Sequence, residues 1–213
     1  MLLLALNTLG SVCEVGVFED GEQISCKRLD ISRGHEQKLP ELVASAMTNT
    51  EHTFSDLGRI AVVSGPGSFT GVRAGVAFAR GLAVALDIPS VGISSTQAAL
   101  PSDQGRVLVA LPAKKRPPDL TWWMQMFVDG AAQSAPLELD AKELQAIGGD
   151  VDLITGMELE VVFGSGGFQQ SEPSLSKVGV IANRLPLDDG MTASPIYVRP
   201  PDAVPMRKKP EGA

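Results

Sequence analysis

Two hydrophobic periods alternate along the first 100 residues. Residues 2–6 are an unbroken apolar run, the pattern of a strand covered on both faces. Residues 12–18 and 23–29 flank Glu19-Asp20-Gly21-Glu22, and an Asp-Gly pair between two such runs predicts a hairpin. With Asp20-Gly21 as a two-residue turn, Val17 faces Ile24, Val15 faces Cys26 and Cys13 faces Arg28. Cys13 and Cys26 then sit diagonally on one face, beyond easy disulfide reach, and both read as small buried hydrophobes. The period next changes to 3.6. Leu39, Leu42, Val43, Ala46 and Met47 predict a helix over 37–47, with Pro40 in its first turn. Residues 60–63 form a second buried strand and lead into a glycine-rich loop. A long helix opens near Thr70, with Val72, Val76, Ala79, Ala83 and Leu86 as its apolar stripe. Gly71, Gly75 and Ala79 sit four apart, which predicts a bare face open to close approach by another helix. Asp87-Ile88-Pro89 ends it. Residues 90–93 are a short strand, and Ser94 or Ser95 caps a helix over 96–100. The order strand, hairpin, helix, strand, helix, strand is that of an α/β lobe with a mixed sheet.

The second half is written less clearly. The polar breaker cluster at 101–105 predicts a boundary, with 1–100 as one lobe, 101–194 as a shorter second lobe and 195–213 as a proline-rich tail. Residues 107–111 and 120–128 read as strands around a tip carrying Lys114-Lys115-Arg116. Asp140 and Glu143 fit a capping box opening a short helix. Val161-Val162-Phe163 reads as a strand running into a second glycine loop, 164–167, and 176–185 reads as a helix. The tail holds five prolines and Arg207-Lys208-Lys209, and is expected to be extended with a disordered end. No tandem repeat is visible.

Composition narrows the chemistry. A net charge of −7 over 213 residues gives no long-range attraction to a phosphate backbone. Two cysteines fit a reducing cytosol rather than a disulfide scaffold. No run approaches a membrane span, so a cytoplasmic protein without a membrane partner is expected. The two histidines, His35 and His52, lie 17 positions apart, which predicts no metal site. Trp122-Trp123 on alternate strand faces reads as core plus surface rather than as a stacking platform.

The stretch SGPGSFTGVRAG at 64–75 carries the sharpest signal. A loop between a buried strand and a helix offers backbone N–H groups to an anion. Gly65, Gly67, Ser68, Thr70, Gly71 and Arg73 are therefore candidates for a nucleotide or phosphate loop. A purely structural tight turn is the competing reading. The Walker lysine is absent, and the spacing is not that of a dinucleotide fingerprint. Ser68 lacks the elbow and the base of a nucleophile.

The same stretch, SGPGSFTGVRAGVAFARGLA, closely resembles the signature of the TsaB (YeaZ) family. LLALNT, RGHEQKLPELV, IPSVGISST and IYVRPPDAV resemble its opening strand, first helix, following strand and closing segment, with Tyr197 and Arg199 aligned. The resemblance is strong over 1–100 and patchy afterwards. It implies the two-lobed fold of actin, sugar kinases and Hsp70. It implies a non-catalytic dimerisation subunit in threonylcarbamoyladenosine modification of tRNA, with no catalytic residues and no required cofactor, weak ATP or ADP binding being left open. The implied partners are a TsaD-type catalytic subunit in a heterodimer and a TsaE-type ATPase subunit. The chain would form a homodimer in isolation and meet tRNA only through the complex. The expected contact lies on the N-terminal helices, at Leu39, Leu42, Val43, Met47, Gly71, Val72, Gly75, Val76 and Ala79. Three departures from the wider fold bear on chemistry. Asn7 stands where a metal-organising Asp is usual, Leu39 stands where a partner to His35 would be, and Leu111-Pro112-Ala113 replaces an Asp-Ala-Arg segment. The rival expectation is an active nucleotide-binding phosphoryl-transfer enzyme or ATPase of the same fold, using the loops at 65–71 and 164–167.

Overall fold

The computed structural model describes residues 1–31, 33–186 and 191–198. Arg199 and the basic proline-rich stretch singled out from the sequence lie outside the described residues.

The first sheet is built from β1 (Leu2–Asn7), β2 (Val12–Glu19), β3 (Glu22–Asp30), β4 (Leu57–Val63) and β5 (Ser90–Ile93), in the order β3-β2-β1-β4-β5. The hairpin partners are antiparallel, whereas β4 and β5 run parallel to β1. Such parallel connections need crossovers, and the helices α1 (His35–Thr48) and α2 (Phe69–Leu86) supply them. Alternation along β1 feeds two cores. Leu2, Leu4 and Leu6 face α1 and α2, while Leu3 and Ala5 face α6 (Leu175–Arg184).

A second sheet repeats this plan. It contains β6 (Arg106–Lys114), β7 (Thr121–Val128), β8 (Ala131–Ala132), β9 (Leu137–Asp140), β10 (Leu153–Gly156) and β11 (Gln169–Gln170). Its order is β11-β10-β6-β7-β8, with β9 also paired to β7. Here too a hairpin lies on one side of the lead strand and parallel strands lie on the other. Two lobes with one strand plan are the architecture expected of the actin, sugar-kinase and Hsp70 class, though no tandem repeat shows in the residues. The second lobe is the slighter, with two-residue strands at β8 and β11 and short helices at α4 (Ala141–Ile147) and α5 (Glu160–Phe163). Asp140 and Glu143 do form the capping box that opens α4.

Four expectations need correction. The hairpin turn is at Asp20-Gly21, both with positive φ, but a bulge makes Ile24 an extra residue, so Val17 pairs with Ser25 and Gly16 with Cys26. A one-residue slip swaps faces, so Cys13 is buried and Cys26 exposed. Pro40 sits in the second turn of α1 rather than the first, because the helix starts two residues earlier, at His35. Val161-Val162-Phe163 is a single helical turn in α5; β10 takes the strand position, and Val161 points to solvent. The second lobe ends sooner than residue 194. Leu175, Val178 and Ala182 of α6 pack on the first sheet with Leu3, Phe18 and Ala61. Residues 191–198 also return there, where Ile196 N–H donates to the Ser64 carbonyl at 2.8 Å.

Among the described residues, α2 alone is long and apolar enough to cross a membrane by length and composition, contrary to the expectation that no run comes close. Its buried face is the Val72, Val76, Ala79 and Ala83 stripe packed on β1 and β4, the place of a core helix in an α/β lobe.

The two thiols give a direct check on the slipped register. Burial pushes the Cys13 thiol up to about 11. Cys26 is raised by partial burial and then by the nearby Glu14 carboxylate, but its surface is open. In the native protein at mildly alkaline pH, a disulfide reagent should titrate one thiol, and Cys26→Ser should abolish that signal. Two equally reactive thiols would contradict the register.

Candidate functional site

The loop between β4 and α2 is folded inward on itself. Ser68 is the N-cap of α2, and its Oγ accepts from the Gly71 N–H at 3.3 Å. Ser95 Oγ donates to the Pro66 carbonyl at 2.6 Å, and Ser95 N–H donates to the Gly65 carbonyl at 2.8 Å. Ser68 thus serves as a helix cap.

Each glycine of the signature makes room for the protein's own atoms. A β-carbon at Gly65 would lie 2.8 Å from the Ile196 carbonyl oxygen, and Gly65 also has a φ of +101°. A β-carbon at Gly67 would lie 2.9 Å from the Leu9 side chain. At Gly71 it would overlap the Thr8 carbonyl oxygen, and at Gly75 the Thr8 hydroxyl. Thr8 in turn donates through Oγ1 to the Gly71 carbonyl at 2.7 Å. The glycines are needed because α2 lies almost on the turn after β1.

This changes the meaning of the small-residue stripe. Leu39, Val43, Met47, Gly71, Val72, Gly75, Val76 and Ala79 are buried within the chain and Leu42 is half-buried, all on the faces that α1 and α2 turn to the sheet. They pack in the chain's own core and leave little surface for the partner contact expected of them. The outward face of α2 is a different set. At 100° per residue, Phe69, Arg73, Ala77, Arg80, Gly81 and Val84 share one stripe, all exposed. Val84 is 82% exposed, and nothing stands above Gly81.

Of the loop candidates, only Gly67 and Ser68 reach the cleft between the lobes, a space of about 460 Å³. Asn7, Leu9 and Ser95 line it from the first lobe, and Leu111, Trp123 and Met157 from the second. Asn7 is buried, and its Oδ1 accepts from the Leu9 N–H at 3.1 Å. Its amide organises the turn where a carboxylate would hold a cation. The cleft's cations are already paired, Arg28 with Asp30 at 3.3 Å and Lys115 with Glu158 at 2.6 Å. Arg73 points elsewhere, to the outer surface beside Phe69 and Tyr197. Residues 164–167 do not line the cleft and follow a helical turn instead of a strand. His35 is the buried first residue of α1, and His52 Nε2 lies 3.5 Å from Glu19. No cluster of three metal-ligating side chains occurs among the described residues.

Sequence reasoning missed Arg59. It lies in β4, fully buried, and donates to the main-chain carbonyls of Ala182, Leu185 and Pro186 at the end of α6. Its place in alternation with Ala61 and Val63 along β4 was the available signal.

Comparison with known proteins follows the same division. Residues 29–116 match the family model TsaD, tRNA N6-adenosine threonylcarbamoyltransferase. The chain is 35% identical over 95 residues to the tRNA threonylcarbamoyladenosine biosynthesis protein TsaB of Escherichia coli. It is 31% identical over 211 residues to an uncharacterised protein of Mycobacterium tuberculosis, covering 96% of this chain and 94% of that one. A Pseudomonas aeruginosa YeaZ structure superposes with a TM-score of 0.65 at 21% identity, covering 85% of this chain and 90% of that one. Sequence over the first half of the chain and fold over nearly all of it support assignment to the TsaB (YeaZ) family. A second structure, an uncharacterised protein with similarity to peptidase YEAZ, gives a TM-score of 0.69 over 93% of this chain and 99% of that one, at 22% identity. The ethanolamine utilisation protein EutJ of Carboxydothermus hydrogenoformans shares the fold at a TM-score of 0.50. The match spans 41% of the E. coli TsaB and 48% of the Haemophilus influenzae one.

Proposed function

We propose that this chain is a non-catalytic subunit in threonylcarbamoyladenosine modification of tRNA. It would hold a TsaD-type threonylcarbamoyltransferase in a heterodimer, with a TsaE-type ATPase as a further subunit, in the cytoplasm. It would meet tRNA only through the complex. The observation that supports the non-catalytic part is that the signature glycines make room for Leu9, Thr8 and Ile196 of the chain itself. The working surface is then the outward stripe of α2, and its effect is positional.

Co-expression with the TsaD-type subunit of the same organism, followed by sizing, tests this. The wild type should co-elute with that subunit. Val84→Asp should abolish co-elution while shifting stability by no more than about 0.5 kcal/mol, since its side chain touches solvent. Undiminished binding by Val84→Asp would move the contact off α2. The volume of the interlobe cleft favours one second reading, a nucleotide-binding or phosphoryl-transfer protein of the same fold. A wild-type chain that ignores the TsaD-type subunit yet binds ATP by calorimetry would establish it in place of the first.

A further inference from the structure

At the N-terminal end of the outward α2 stripe, two side chains of the helix and one from far along the chain form one surface cluster. The Arg73 guanidinium lies 3.9 Å above the Phe69 ring. Its Nε donates to the Tyr197 hydroxyl at 3.2 Å, and the two rings sit 5.2 Å apart. Phe69 is 41% and Tyr197 43% exposed. Aromatic rings left this open beside an ordered arginine are unusual on a surface and typical of interface anchors.

The cluster is also electrically incomplete. Residues Phe69–Leu86 contain two arginines and no acidic residue, in a chain of net charge −7. Among the described residues, no carboxylate lies within ion-pair distance of Arg73, and its only hydrogen bond uses Nε. Among the described residues the terminal nitrogens Nη1 and Nη2 remain as a fork, held over a ring and shaped for a two-oxygen acceptor.

We propose that Phe69, Arg73 and Tyr197 are a preassembled anchor for a carboxylate on an otherwise apolar helical segment of the partner protein, with Tyr197 as the residue that positions Arg73. This rests on the subunit role proposed above and names the chemistry of its contact. Charge complementarity selects an acidic acceptor. The remainder of the stripe adds one more cation, Arg80, to the apolar or bare positions Ala77, Gly81 and Val84, which favours protein over RNA, because a phosphate backbone needs cations along its length and gains nothing from apolar surface. A second copy of α2 laid on the same face would oppose arginines to arginines. Preassembly lowers the entropy lost when the contact forms, since the ring and hydroxyl already fix the guanidinium.

The test is calorimetric titration of the full chain with the TsaD-type subunit at low and high salt, comparing wild type, Arg73→Gln, Arg73→Lys and Tyr197→Phe. Melting curves check that each variant is folded. Arg73→Gln should bind roughly tenfold more weakly or worse, with a flatter salt dependence. Arg73→Lys should restore the salt dependence without the affinity, because a point charge lacks the fork. Tyr197→Phe should fall between the two with its ring packing kept. Wild-type binding matched by all variants would overturn the anchor and leave the subunit role standing. No wild-type binding would overturn both. Loss of tRNA retention in Arg73→Gln without loss of protein binding would reassign the cluster to RNA. A self-association of the chain that depends on Arg73 would reassign it to a second copy.

Discussion

Gly71→Ala is expected to destabilise the protein by roughly 3 kcal/mol, with or without added nucleotide. In an isolated helix the same change would help, by up to about 1 kcal/mol of propensity. Here the new methyl would overlap the Thr8 carbonyl oxygen and sit 2.6 Å from Ser68 Oγ. Neither can yield cheaply, since one is main chain in the turn after β1 and the other is the helix cap. To relieve the overlap, α2 must lift off the sheet. That breaks the buried bond from Thr8 Oγ1 to the Gly71 carbonyl and opens the packing of Val72 and Val76 on Leu6 and Val62. The overpacking loss exceeds the propensity gain, so the sign is set by the clash. Urea denaturation measures it. An unchanged or higher midpoint would mean that the loop stands away from Thr8 in solution, free for a ligand.

Arg59→Met is the second large effect, a loss of about 3 kcal/mol and on the order of 9 °C in melting temperature for a chain of this size. Methionine fills much of the same volume, so the loss isolates the polar contacts. The guanidinium serves as the C-terminal cap of α6 from inside the sheet, collecting three carbonyls that the helix leaves unsatisfied. It also brings positive charge to the negative end of the helix dipole. Burial works against it and lowers its pKa from the ordinary arginine value, yet even so the group stays protonated at neutral pH. A stability change under 1 kcal/mol by scanning calorimetry would show those carbonyls to be served by water.

What the residues disclosed in advance was local. Asp20-Gly21 made a turn, Ser94 capped a helix, and Asp140 with Glu143 closed a capping box, because each signal acts within a few positions. The same range limits what could be read. Nothing near Ile24 marks it as a bulge residue, and one extra residue was enough to turn Cys26 outward. Val161-Val162-Phe163 suits a strand by composition, but a short apolar run does not reveal which element it joins, and the sheet had taken Leu153–Gly156 instead. The site suffered a subtler confusion. α2 is apolar nearly all round, so its glycine-bearing stripe and its outward stripe both look like contact faces in a sequence. Only the position of Thr8 decides that Gly71 and Gly75 face inward and that Phe69, Ala77 and Val84 do not. Tyr197 beside Arg73 joins positions 124 apart and has no local trace.

The return of the chain after α5 has an architectural consequence. Ser174 N–H donates to the Ala98 carbonyl at 3.0 Å, and Ser171 Oγ donates to the Ala99 carbonyl at 2.6 Å. The second lobe therefore leaves and re-enters the first through one narrow gate, as an insertion whose two stems touch. Closing such a loop costs little more when it is long than when it is short, about 0.6 kcal/mol per doubling. The host lobe, by contrast, is completed by α6, which arrives only after the insertion has been traversed. Size and ornament in the inserted part can thus drift at small energetic cost, whereas the host must keep both of its sequence-distant pieces in step.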